Sequence, residues 1–153
     1  KIKKIEVSGV KHKMIMKQQV QYASMIDRAL KLCEVMLSRS ETLYPFAVLS
    51  IDKQIDCIFL DDRDYRNQHP NGAHFGMIEK LEGQLAIGKV QATSAIGMLV
   101  YAATITSPQQ EENDALMFSI CDANGENTLT LYPYEFEVNS IKIGKPFTCD
   151  FPD

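Results

Sequence analysis

The stretch Ala95–Phe136, AIGMLVYAATITSPQQEENDALMFSICDANGENTLTLYPYEF, reads as three consecutive β-strands. Ile96 to Ile105 is a long apolar run, closed by Ser107-Pro108 and the polar string Gln109–Asn113. Pro108 has no N–H to give to a ladder. Ala115 to Cys121 is the second apolar run. Asp122-Ala123-Asn124-Gly125-Glu126-Asn127 then makes a turn, because Asn and Gly accept the positive φ that tight hairpins require. Thr128 to Tyr132 alternates with period two, which puts Leu129 and Leu131 on one face and Thr128, Thr130 and Tyr132 on the other. Pro133 is expected to end this ladder or mark an edge. The rest of the chain is expected to cover one face of these strands.

Upstream, Met14 to Ser38 carries the strongest helical pattern. Tyr22, Met25, Ile26, Ala29, Leu30, Cys33, Met36 and Leu37 recur at spacings of three and four, with no Gly or Pro between them, and make one apolar stripe. Tyr44-Pro45-Phe46 opens a strand to Ile51. Asp52-Lys53-Gln54 is a tight turn, and Ile55 to Leu60 is a second strand, apolar enough to be buried on much of both faces. Phe75 to about Val90 reads as a second helix, with Ile78, Leu81, Leu85 and Gly88 on one face. Ile2–Val10 alternates and could be a short strand. Beyond Phe136, Ile141-Lys142-Ile143 and a Gly144-Lys145-Pro146 turn lead into a tail.

These elements predict an α+β protein of order α-β-β-α-β-β-β. A single, mostly antiparallel five-stranded sheet would carry the helices, with spatial order 2-1-5-4-3 if the first strand pairs with the fifth. The 153 residues suit one domain, with residues 1–13 an arm and 144–153 a C-terminal tail. The element order resembles that of roadblock-type and profilin-like domains, which are non-enzymatic scaffolds that often dimerise.

Composition narrows the function. Twenty acidic against sixteen basic residues leave a net charge of −4, which argues against a general nucleic-acid binder. The basic residues concentrate in Lys1, Lys3, Lys4, Lys11, His12, Lys13 and Lys17, read as a solvated arm. Cys33, Cys57, Cys121 and Cys149 form no C-x-x-C pair and read as reduced thiols of a cytoplasmic protein. No apolar run reaches the length that spans a bilayer. The first residue is Lys1, not Met, and the true N-terminus is left open.

Metal-type ligands concentrate only in the polar stretch Asp61–His74, which holds Asp61, Asp62, Asp64, His69 and His74. His69 and His74 are five apart in a Pro/Gly loop and fit no ligand spacing, so no metal or other cofactor is expected; His69, His74 and Asp64 are the residues that could hold one. Cys57 beside His69 or His74 is the one conceivable nucleophile–base pair. No catalytic residue is assigned.

Two aromatic motifs stand out, Tyr44-Pro45-Phe46 and Tyr132-Pro133-Tyr134. Core packing accounts for them first. If the first and fifth strands are neighbours, Tyr44, Phe46, Tyr132 and Tyr134 would gather into one binding patch. Together with Asn113-Asp114-Ala115, these motifs resemble a group of small bacterial α+β proteins with no assigned function, over about residues 43–134. The resemblance implies a stand-alone domain without catalytic residues. The expectation is a protein–protein interaction domain, self-associating as a homodimer or neutralising a partner in the manner of an immunity protein, with no nucleic acid and no membrane. The alternative is a small-ligand binder or enzyme with its site at the Asp61–His74 loop.

Overall fold

The computed structural model describes residues 8–40, 42–60, 75–92, 94–106 and 109–150. Helix α1 (Ser8–Ser40) is followed by strands β1 (Phe46–Ile51) and β2 (Gln54–Ile58), helix α2 (Phe75–Gln91), and strands β3 (Ile96–Thr106), β4 (Glu112–Cys121), β5 (Asn127–Glu137), β6 (Ser140–Ile143) and β7 (Phe147–Asp150). All strands join one antiparallel sheet of order β2-β1-β3-β4-β5-β6, with β7 also on β5. The α+β class is as expected; seven strands replace the expected five.

The expected order 2-1-5-4-3 is overturned. β1 pairs with β3, through Phe46↔Val100 and Val48↔Met98, so β3 and β4 stand between β1 and β5. Ile96 to Val100 are five successive buried residues. A strand without an exposed face belongs inside the sheet with a neighbour on each side. β2, by contrast, is the edge. Its residues are half-buried or exposed, and the expectation that it is buried on both faces fails.

The two helices cover opposite faces, so the sheet is the middle of three layers. Met25, Ala29, Cys33 and Leu37 of α1 pack on Phe46, Val48, Met98, Val100, Leu116 and Phe118. Met77, Leu81 and Leu85 of α2 pack on Ala47 and Leu99. Alternation along each strand sends successive side chains to these two cores. α1 extends past its expected limits at both ends, and Ser8–Val10, read as part of a strand and an arm, is helical. The Ser40 hydroxyl donates to the Met36 carbonyl (2.9 Å) in the last turn.

β5 does not stop at Pro133 but runs on to Glu137. β6 and β7 then form its far neighbour in two pieces. Tyr134 pairs with Ile143 and Leu131 with Phe147, so three residues, Gly144 to Pro146, oppose two. This is a β-bulge, not the expected reversing turn. Gly144 N–H donates to Pro133 O at 2.7 Å, and Pro133 faces this edge, where its missing N–H leaves no gap in the β4 ladder. The expected tail from Gly144 therefore contains strand β7.

Both sheet edges carry features that disfavour pairing with another strand. Asp52 and Lys53 (φ 49° and 71°) make a two-residue turn closed by Ile51↔Gln54, with Ser94 Oγ donating to Asp52 Oδ1 at 2.8 Å. That register directs the polar backbone of Ile55 outward, and Arg28 Nη1 of α1 donates to its carbonyl at 2.9 Å. At the other edge the bulge and Pro146 interrupt the ladder. These are the usual devices against edge-to-edge pairing.

Candidate functional site

The hairpin after β4 forms where expected. Gly125 takes φ +83°, and Asp122 Oδ1 accepts the backbone N–H groups of Asn124 (2.8 Å) and Glu126 (2.9 Å). Both helices reach this turn. On one face Tyr22 of α1 hydrogen-bonds the Asp122 carboxylate; burial first, and that carboxylate second, push its phenol up to about 12. On the other face Lys89, in the last turn of α2, donates to Asp122 O (2.6 Å), Cys121 Sγ (2.9 Å) and Cys121 O (3.3 Å). A cation suits this end of the helix dipole.

Beside Lys89 a groove of about 510 Å³ opens between α2 and the β3–β5 surface. Leu85, Gly97 and Leu99 line its apolar part, and Glu82, Ser119, Cys121 and Asn127 bring polar groups to it. Gly97 lets Leu85 pack close over the strand, since a Cβ there would meet Leu85 Cδ2 at 3.3 Å. A second groove, of about 460 Å³, lies on the opposite face between α1 and Tyr132. Neither was legible beforehand, because each depends on where a helix stops short of covering a sheet whose width came from unforeseen strands.

The aromatic residues separate. Phe46 is fully buried in the α1 core and stacks on Phe59, ring centroids 5.5 Å apart. Tyr134 is buried in the same core and meets Phe136 edge-on. Tyr132 packs against Phe118 and lines the α1 groove, and Tyr44 is exposed. With β3 and β4 between them, β1 and β5 are about 14 Å apart at ordinary strand spacing. The single patch expected of Tyr44, Phe46, Tyr132 and Tyr134 therefore does not assemble; Phe46 and Tyr134 serve the core.

Asp61, Asp62, Asp64, His69 and His74 lie outside the described residues. Among the described residues, no group of three His, Cys, Asp or Glu side chains is placed to hold a metal ion. Cys33, Cys57 and Cys121 are free thiols. No described helix is long and apolar enough to cross a membrane.

The exposed apolar surface that sequence reasoning missed lies on α2. Its C-terminal half turns Gly83, Gln84, Ala86, Ile87 and Val90 outward, without a charge among them. Ile87 is 62 % and Val90 88 % exposed. The signal was present in the same sequence, since Gly83, Ile87 and Val90 recur at spacings of four and three on the face opposite Leu81 and Leu85.

Compared with known proteins, the chain matches no family model, and no curated protein or solved structure matches it significantly.

Proposed function

We propose that this protein is an interaction module that pairs with a second copy of itself through the outward face of α2. The observation that carries this reading is the exposure of Ile87 and Val90 on adjacent turns of α2, on an outward face that carries no charge in the helix's C-terminal half. Gly83, four residues before Ile87, supports a second copy as the occupant. A two-fold axis would bring the Ile87 projection of each helix into the Gly83 recess of the other, as an isologous contact requires. The chain's own packing does not call for Gly83, since a Cβ there would meet open space, and a mid-helix glycine costs about 1 kcal/mol. The edges of the sheet, one carrying the Arg28 hydrogen bond and the other broken by the bulge, are poorer routes.

Light scattering over a concentration series tests this. A mass near twice 17.3 kDa is expected, falling to the monomer in Ile87→Glu with circular dichroism unchanged. A monomer at every concentration overturns the reading. Neutralisation of a toxin-like partner is a further version, tested by protection in co-expression with neighbouring gene products.

The alternative class, a small-ligand binder or enzyme, is favoured by one observation. The α2 groove has the volume and the mix of apolar wall and few polar groups of a small-molecule site. Chemical-shift changes confined to Leu85, Gly97 and Leu99 in a fragment screen would support it; a screen without such changes counts against it.

A further inference from the structure

Cys121 and Lys89 line the same open groove with Sγ and Nζ 2.9 Å apart. Cys121 is half-buried, so a small oxidant in the groove can reach its sulfur. The other described thiols are worse placed. Cys33 is buried, and burial pushes it up to about 12. Burial raises Cys57 as well, and that residue lies on the far edge of the sheet.

A cysteine sulfenic acid normally condenses with a nearby thiol or nitrogen. Among the described thiols, Cys33 and Cys57 belong to the α1 core, across the sheet from the Cys121 groove. Cys149 pairs with Leu129 while Cys121 pairs with Asn127, two strands across and two residues along. Strand spacing and rise put their Cα atoms about 12 Å apart, beyond the ~7 Å limit for a disulfide. The Lys89 nitrogen is already in contact.

We propose that Cys121 and Lys89 form a peroxide-responsive pair, in which oxidised Cys121 is captured by Lys89 as a reversible sulfur–nitrogen link. In the first step the thiol sulfur attacks one peroxide oxygen and the O–O bond breaks. Sulfur is oxidised, the peroxide is reduced, and Cys–SOH and water result. In the second step the Lys89 nitrogen attacks that sulfur and the S–O bond breaks. The ammonium gives up two protons, one leaving with the hydroxide as water and one passing to solvent. The S–N link would fasten the end of α2 to the β4–β5 turn and narrow the mouth of the groove. A thiol reductant reverses it by reforming Cys–SH and the amine while the reductant becomes a disulfide.

The test is peptide mass mapping of the full chain after hydrogen peroxide, with and without dithiothreitol. The expected product is a joined pair of peptides containing Lys89 and Cys121, lighter than their sum by two hydrogens and separated again by the reductant. In Lys89→Arg, which keeps a cation at the turn but lacks a nucleophilic amine, Cys121 should instead accumulate sulfinic and sulfonic acid. A Cys121 that overoxidises equally in both proteins overturns the proposal. So does one that stays a thiol in both, or a joined pair that retains an oxygen.

Discussion

Tyr22 and Lys89 lie on opposite faces of the sheet and bind the same residue, Asp122, one through its carboxylate and the other through its carbonyl. The β4–β5 turn is thus the point where α1, the sheet and α2 are tied together.

Asp122→Ala removes the acceptor of two backbone N–H groups and the partner of Tyr22. A loss of about 1–3 kcal/mol is expected. Asp122→Asn keeps an oxygen for the turn and should lose less. Urea unfolding of the two variants measures the difference, which vanishes if the carboxylate is incidental.

The two glycines inside α2 should respond in opposite ways. A Cβ at Gly88 would lie 2.5 Å from Leu49 Cδ2, where α2 meets β1, whereas one at Gly83 meets nothing. Gly83→Ala should therefore stabilise the fold by about 1 kcal/mol while weakening self-association, because it fills the proposed recess. Gly88→Ala should fall short of that gain. Thermal melts below the association range, with light scattering above it, separate the two effects.

Alkaline pH should weaken the fold through Cys33. Burial raises its folded value from 9.0 to about 12, so the fold favours the protonated thiol. This contribution is fully present below pH 9 and is lost as pH rises toward 12. The linkage amounts to a few kcal/mol, since each tenfold difference in proton affinity between folded and unfolded chain contributes on the order of 1.4 kcal/mol. Cys33→Ala should flatten stability against pH in that window. An unchanged slope would assign the alkaline loss to the tyrosines that burial also raises, Tyr22, Tyr101, Tyr132 and Tyr134.

Arg28→Ala should cost at most about 1 kcal/mol, as loss of one exposed hydrogen bond does. Its larger effect should be on aggregation during prolonged incubation, since the outward carbonyl of Ile55 loses its cover. Light scattering at matched stability reads this out.

Local chemistry carried much of this architecture. Asn124-Gly125 marked its hairpin, the Thr128–Tyr132 alternation assigned faces correctly, and Met25, Ala29, Cys33 and Leu37 marked the buried side of α1. What stayed hidden was pairing between distant segments. Nothing in Phe46–Ile51 distinguishes β3 from β5 as a neighbour; the decision rests on which strand must be covered on both edges. The bulge at Gly144–Pro146 was hidden for a related reason, since Gly and Pro signal a reversal as readily as an interrupted strand. The Lys89–Cys121 contact joins residues 32 positions apart that no motif connects.

The sheet order has a consequence for how the chain reaches its native state. β1 with β2, and β3 with β4, β4 with β5 and β5 with β6, pair as successive neighbours, and such local pairings close small loops quickly. Only β1 with β3 joins the two hairpin units across α2. That step carries the largest loop-closure entropy among the strand pairings, so the β3–β6 meander should gain protection from hydrogen exchange first in refolding. The β1–β2 hairpin would dock afterwards, making the Phe46–Val100 row the last part of the sheet to close.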